Sequence, residues 1–422
     1  MFNQLNRSFK SVKLNAIGLK GSDYSSALLV YLTSGSLYFF SLGSVAWILL
    51  LLVFSTGMVI FRGRIAKSAN MLIYTSLVSI YFLLHGFIFP LGYQTNIGVV
   101  IKVIACFLII SVAKYNFIRA FILVTFWFAI GSLVMYIDLM MVGLLTSITS
   151  SFLPELELND YTRYANHLFL VDMTHSAYGE NLFYSGRNSG IFWEPGAYQV
   201  ILNIALFSHL SNNKTLDIIS LVLIFTILTT FSTSGYLILS MTLLLHFGGD
   251  RLSLRGVIFG ILVAVAIGVF FARGDHGVAK ISNIFDLGYL TAGEVVGSQS
   301  RVYDTYTDAR LFLSEPILGR GSEIPEDVQV SFKGERLGSS NSLTMFFASY
   351  GVFGGLIFLF PVFLARMKSF FGPLSLIFWF QMSVEAFILS PIIVSIFMLC
   401  LQEGQGVSSS NQRQAYKGVR AE

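Results

Sequence analysis

Apolar residues gather in long unbroken runs along this chain. They neither alternate with a period of two nor stripe one face of a helix. Runs of a length that crosses a bilayer as a helix lie at 27–42, 44–61, 71–91, 97–113, 117–138, 195–210, 216–231, 235–248, 256–272, 342–364, 373–387 and 389–402. Ser41, Gly43 and Ser44 offer a turn between the first two runs, and Ser390 and Pro391 one between the last two. The pattern predicts an all-α polytopic membrane protein of about twelve transmembrane helices, with residues 1–422 forming a single integral membrane domain. Two long polar stretches interrupt the runs, at 139–194 and 273–341. Loops of that length between membrane helices exceed what a connector needs. No internal repeat, low-complexity segment or coiled coil is visible.

Composition narrows the function classes. Apolar residues make up 55% and charged residues 12%, with 40 Phe and a mean hydropathy of +0.71. So few charges cannot cover the surface of a soluble globular domain, and so much apolar content excludes disorder. No basic stripe marks a nucleic-acid binder, so no nucleic acid is expected as a partner. The formal net charge is only +4, so where the charges lie matters more than their sum. Cys106 and Cys400 lie inside apolar runs, which argues against a disulfide framework. The histidines are scattered, and no phosphate loop, nucleophile elbow or calcium loop is present. No metal and no cofactor are expected.

Charge placement sets an orientation. Seventeen of the 27 Lys and Arg residues fall in the two tails and the turns of one side, among them Arg62, Arg64, Lys67, Lys114, Lys214, Arg251 and Arg366. The turns near 43, 93, 232 and 388 hold none. Lys102 lies within a span, and the other nine lie in the two long loops, which translocate regardless of charge. The positive-inside rule then places both termini in the cytoplasm, with 1–26 and 403–422 as tails. The loops 139–194 and 273–341 lie on the outer side. Residues 1–25 carry Arg7, Lys10, Lys13 and Lys20 without a small-residue cleavage site, and read as a cytoplasmic tail rather than a signal peptide.

Candidate chemistry sits at four places. Residues 186–198 bring Arg187 and Glu194 to the start of an apolar run, followed by Pro195, which suits the first turn of a helix. Glu194 then lies where the helix dipole favours a carboxylate. It reads either as a cap or as part of a polar site at the mouth of a cavity, with Arg187 reaching an anion. Residues 300–313 have helical character, with Val302, Tyr306, Ala309 and Leu313 on one face and Ser300 as an N-cap. Arg301 falls in the first turn, where a cation opposes the dipole and a bound anion would satisfy both. The alternative is an exposed helix whose arginine pairs with Asp304 or Asp308. Ser232-Thr233-Ser234-Gly235 forms a polar knot between two runs, read as an outer turn or a substrate contact. Ser339-Ser340-Asn341-Ser342-Leu343 precedes Tyr350-Gly351 and Gly354-Gly355, glycines that in membrane helices mark close packing.

Taken in order, these features resemble the bacterial O-antigen polymerase family of the O-antigen polymerase and ligase superfamily. The resemblance rests on Arg187, Gly190 and Glu194-Pro195, on Ser232-Thr233-Ser234-Gly235, and on Arg301 followed by Pro316-Ile317-Leu318-Gly319-Arg320-Gly321. Asn341-Ser342-Leu343 with Tyr350-Gly351 and Gly354 completes it. It covers roughly 185–356 by motif and the whole chain by topology. The related ligases carry a His just before the Asn, where this chain has Ser340, and that departure favours polymerase over ligase while leaving the catalytic base unnamed.

The resemblance implies a multi-pass enzyme of the bacterial inner membrane, with the helical architecture of the GT-C glycosyltransferases and a cavity open to the periplasm. Donor and acceptor would be undecaprenyl-diphosphate-linked glycans. A flippase and a chain-length regulator of the same pathway would be partners, beside the lipid bilayer itself. Arg187, Arg301 and Glu194 are the expected catalytic residues. Arg310, Arg320, Asn341, Tyr198 and Trp193 are the expected substrate-binding ones. Guanidinium forks would neutralise the leaving diphosphate without a metal. Two rival classes are a polysaccharide transporter or flippase, which would carry internal repeats and broken helices at the midplane, and a non-catalytic membrane scaffold.

Overall fold

Helices account for most of the chain, as the apolar runs require, because a backbone in hydrocarbon must bond to itself. The computed structural model describes residues 19–62, 68–114, 116–159, 162–176, 186–211, 213, 215–247, 301–323, 341–361 and 387–403. In chain order the helices are α1 (Gly21–Thr33), α2 (Leu37–Phe40), α3 (Ser44–Arg62), α4 (Ala69–Ile88), α5 (Tyr93–Ala113), α6 (Asn116–Met141) and α7 (Leu144–Phe152). After three strands follow α8 (Pro195–Leu210), α9 (Ile218–Thr229), α10 (Thr233–Phe247), α11 (Arg301–Ser314), α12 (Ser342–Phe358) and α13 (Pro391–Glu403).

Four segments among the described residues are long and apolar enough to cross a membrane: Val45–Arg62, Ala69–Ile88, Pro90–Ala113 and Asn116–Met141. Their 18 to 26 residues rise about 27 to 39 Å at 1.5 Å each, against a hydrocarbon core of about 30 Å. Ile218–Thr229, Thr233–Leu244, Ser342–Phe358 and Pro391–Leu401 are apolar but shorter. These lengths and compositions mark a helical membrane protein. The expected spans at 256–272 and, apart from Phe387, at 373–387 lie outside the described residues.

Two features depart from the expected helices. The run 27–42 is not one span. It forms α1 and the short α2, and the break between them is held by residues from far along the chain: Ser36 bridges Phe192, and Leu37 N–H donates to the Ile191 carbonyl (2.9 Å). The stretch 139–194 is not a bare loop either. It carries α7 and a three-stranded antiparallel sheet in the order β1 (Leu156–Asn159), β2 (Thr162–Asn166), β3 (Val171–Ser176). Leu156, Tyr164 and Val171 from the sheet bury themselves with Leu37 of α2. Tyr38 of the same short helix donates to Asn166 Oδ1 and to the Leu168 carbonyl.

The core is continuous from α1 to α13. α8 lies at its centre, buried at every position but Phe207 and Ser208, and packs against α6, α9 and α10. A helix apolar almost all round belongs there. Asp23, fully buried, ties four helix ends together. Its carboxylate accepts from Arg62 Nη2 (2.8 Å), Asn116 Nδ2 (3.1 Å) and its own Lys20 N–H (3.0 Å), while Arg62 Nη1 donates to the Val112 carbonyl (3.1 Å). Removing one member of a buried pair strands the other charge. Arg62→Met should therefore destabilise the folded protein by about 3 kcal/mol, and Asp23→Asn by less, because the amide oxygen still accepts. Thermal unfolding of the two purified variants checks the order, and equal midpoints for Arg62→Met and wild type would remove the staple.

Candidate functional site

The four motifs assemble into two separate units. The first is built from residues 186–196. Tyr136 Oη anchors the Gly186 carbonyl (2.9 Å), and Asn188 fixes the loop from both ends of its side chain. Its Nδ2 donates to Thr229 Oγ1 (3.0 Å) and its Oδ1 accepts from Gly190 N–H (2.9 Å), while its own N–H donates to the Thr229 carbonyl (2.9 Å). Gly190 has φ +55°, and a Cβ there would lie 2.6 Å from the Tyr198 ring, so both backbone and space require glycine. The loop is stitched to the sheet by Val171 N–H donating to the Gly190 carbonyl (2.7 Å) and by Ser189 Oγ donating to the Val171 carbonyl (2.5 Å).

Arg187 is half-buried in this loop, and its Nε donates to the Thr230 carbonyl (3.0 Å) at the end of α9. That bond ties the arginine motif to Thr230, two residues before the polar knot 232–235. There Ser232 Oγ accepts from Gly235 N–H (3.3 Å) and lies 3.0 Å from Ser234 Oγ, capping α10. The knot is therefore an ordered turn that begins two residues after the carbonyl Arg187 bonds.

Glu194 stands at the N-cap position of α8 with extended backbone, and Pro195 takes the first helical position as expected. Its side chain makes no capping hydrogen bond. It is half-buried, and no described residue bonds its carboxylate. The cap reading thus loses its contact, and an available carboxylate remains at the start of the central helix. Glu194→Gln should change stability by less than about 0.5 kcal/mol, since losing a true cap costs about 0.5–2. A thermal shift equivalent to 1 kcal/mol or more would restore the cap.

Trp193 is half-buried and stacks on Phe387 (centroids 5.9 Å apart, planes at 15°). Tyr198 is fully buried, stacks on Phe192, and its hydroxyl lies 2.8 Å from Ser132 Oγ. Its ring sits behind the loop, against Gly190.

The second unit joins α11, residues 315–323 and α12. Arg301 is the first residue of α11, and its side chain lies outside the described part. Ser300, the expected cap, lies outside it too. The face that packs on α12 is Thr307, Asp308 and Leu311, whereas Tyr306 and Leu313 of the apolar stripe are 44% and 72% exposed. Polar pairing decides the rotation. Thr344 Oγ1 donates to Asp308 Oδ2 (2.8 Å), and Asn341 Nδ2 donates to Thr305 Oγ1 (3.0 Å). Asn341 also caps α12, its Oδ1 accepting from Leu343 and Thr344 N–H (3.2 Å each), so both ends of its amide are engaged with protein. Arg310 is exposed, 5.9 Å over the Tyr306 ring. Arg320 is half-buried, with Nε donating to Ser314 Oγ (2.9 Å).

α12 is broken at Gly351, whose φ of 64° and ψ of −173° are not helical. The glycine signal there means more than close packing. Residues 316–321 fill the break. Arg320 and Gly321 N–H donate to the Ala348 and Ser349 carbonyls (2.9 Å each), and Val352 and Phe353 N–H donate to the Pro316 and Ile317 carbonyls (2.8 and 3.1 Å). Four backbone groups that the break would leave bare in the apolar interior are satisfied by the loop motif.

A buried polar chain backs this joint. His85 Nε2 lies 3.0 Å from the Leu318 carbonyl, which can only accept, so that nitrogen carries the proton. Nδ1 then accepts from Asn96 Nδ2 (3.3 Å), Asn96 Oδ1 accepts from Tyr350 Oη (3.2 Å), and the Tyr350 carbonyl accepts from Tyr81 Oη (2.7 Å). His85, Asn96 and Tyr81 were missed in sequence. Their signal is a His and an Asn near the facing ends of two apolar runs.

The described hydrogen bond of Arg187 runs to the end of α9. Outside the spans His167, at the corner between β2 and β3, has its pKa lowered by burial, against smaller raising effects led by Asp172. Among the described residues no group of His, Cys, Asp and Glu is arranged to hold a metal ion. No protein-family model matches the chain, and no curated protein matches it.

Proposed function

We propose that this protein is an O-antigen polymerase, a membrane glycosyltransferase that joins undecaprenyl-diphosphate-linked repeat units at the periplasmic face of the bacterial inner membrane. In this reading the chain crosses the membrane twelve times with both termini cytoplasmic, and 139–194 and 273–341 face the periplasm. One observation carries the proposal. Two of the motifs behind the resemblance meet in space, residues 316–321 filling the Tyr350-Gly351 break, and Arg187 bonds Thr230 just ahead of the 232–235 turn. Motifs that interlock across about thirty residues of sequence fit the resemblance better than chance matches do.

The reaction has simple requirements. A hydroxyl of the acceptor repeat unit attacks the anomeric carbon of the donor. The carbon–oxygen bond to undecaprenyl diphosphate breaks, and its electron pair leaves with the diphosphate. Arg187 and Arg301 neutralise that charge, with Arg310 and Arg320 as outer cations. Glu194, its carboxylate unoccupied by described residues, takes the hydroxyl proton. Trp193 offers a ring to a sugar face. The flippase and chain-length regulator of the pathway are the proposed partners.

The helix break favours a second reading, a transporter or flippase, since carriers place broken helices at their binding sites. In carriers the half-helix ends face a cavity. Here the loop segment 316–321 occupies them, which supports a fixed joint. Membranes bearing this protein, supplied with the labelled lipid-linked repeat unit of the host, decide the matter. A ladder of lengthening chains on undecaprenyl diphosphate supports polymerisation. A single transfer to the lipopolysaccharide core would make it a ligase-like enzyme, and movement across the bilayer without transfer would make it a flippase.

A further inference from the structure

Lys102 stands near the middle of the apolar segment Pro90–Ala113. An ionisable residue within such a segment calls for a partner and is a functional-site hypothesis by default. Among the described residues its Nζ lies 5.5 Å from the centroid of the Trp47 ring and within electrostatic reach of the Cys106 thiol, and no carboxylate or carbonyl bonds it. Trp47 is 8% exposed and so held in place, while Lys102 is half-buried. A ring face attracts the charge but leaves the three N–H donors of an ammonium without an oxygen acceptor.

The depth of the ammonium follows from the helices. α3 and α5 run in the same direction, because Arg62 at the end of α3 bonds the Val112 carbonyl near the end of α5. Gly98 faces Ile48, which brings the two helices together one turn before Lys102. Side chains in a helix lean back toward its N-terminus. The Lys102 stem therefore climbs toward the Ser44 end of α3 and stops beside Trp47. Trp47 is three residues from Ser44, or about 5 Å at 1.5 Å per residue. Trp and a snorkelling Lys at that level face the headgroup layer, not the midplane.

We propose that Lys102 and Trp47 form a binding site for the phosphate of a lipid, reached from the bilayer alongside the packed α3–α5 pair at its Ser44 end. The phosphate oxygens accept the ammonium donors, and the Trp47 ring fixes the ammonium from the other side. This site is separate from the Arg187 loop and stands without the transferase reading.

The test uses the full chain, purified in neutral detergent and stripped of lipid, titrated with phosphatidylglycerol while its thermal midpoint is followed. Wild type and Lys102→Arg should be stabilised. Lys102→Gln should need roughly tenfold more lipid for the same shift, the loss of one charge-assisted hydrogen bond. Inorganic phosphate should do nothing at the same concentrations, because it lacks the chains that hold a lipid against the helix pair. Equal response of Lys102→Gln and wild type would overturn the site, and stabilisation by inorganic phosphate would overturn its lipid character. If Lys102→Gln is not recovered folded, wild type decides by native mass spectrometry. Preferential retention of phosphatidylglycerol over phosphatidylcholine supports the site, and equal retention overturns it.

Discussion

Gly351→Ala should destroy the joint between α11 and α12 and, with it, the folded protein or its activity. Gly351 sits in a backbone region that side chains rarely adopt, at a cost of about 1–3 kcal/mol for any other residue. Its Cβ would also strike the Ile317 carbonyl and come within 2.7 Å of Gly319 N. Both are backbone atoms held by hydrogen bonds: the Ile317 carbonyl accepts from Phe353 N–H, and Gly319 N–H donates to the Glu315 carbonyl. They cannot swing aside as a side-chain tip does. Strain and overlap together should reach about 4 kcal/mol or more, in the range reserved for severe substitutions. Gly319→Ala should behave alike, since its φ is +74° and its Cβ would meet the Ser349 carbonyl. Gly57→Ala is the control. It lies inside α3 with nothing within 4 Å of a Cβ, so it should be neutral or slightly stabilising. Thermal unfolding and recovery of monodisperse protein measure all three. A Gly351→Ala protein as stable as Gly57→Ala would mean that the break is not a built feature.

That joint also shows where sequence reading stopped. Helices were legible because a membrane leaves the backbone no other partner. The run at 195–210 matches Pro195–Leu210, and 117–138 falls inside Asn116–Met141. Breaks were not legible. A glycine inside an apolar run looks the same whether it packs a neighbour or turns the chain, and only the distant Pro316–Gly321 segment distinguishes the cases. The break at 34–36 hid for the same reason, because its partners are Ile191 and Phe192. The sheet at 156–176 is polar and held by non-local pairing, so no run announced it. On α11 the apolar stripe misled, since Asp308 and Thr305 turn the helix by bonding Thr344 and Asn341. At the candidate site the residues were legible but their partners were not. Arg187 bonds a backbone carbonyl, and carbonyls carry no letter in the sequence.

Arg187→Lys should lose most of the polymerising activity expected of this protein, by roughly a hundredfold, while the fold survives. Thr230 supplies the reason. Its carbonyl takes the Arg187 Nε–H at 3.0 Å and so sets the plane of the guanidinium. Lysine keeps the charge but has neither that donor nor a planar fork, and it presents a mobile point charge in place of two directed bonds. Losing transition-state stabilisation of about 2.7 kcal/mol corresponds to that hundredfold. Arg301→Lys should be impaired similarly, because the first residue of α11 brings a cation to a helix N-terminus, where an anion satisfies both. Ala should be worse at either place. If both arginines hold one leaving diphosphate, the double Ala variant should be less than multiplicatively worse than the single ones. Arg163 is the control: its Nε pairs with Glu157 at 3.1 Å on the exposed sheet, an ion pair worth at most about 1 kcal/mol, so Arg163→Ala should polymerise normally. Chain-length ladders from membranes with matched protein levels give the readout. Full ladders from both Lys variants would leave at most a diffuse electrostatic role for these arginines. Multiplicative losses in the double variant would place them on different groups.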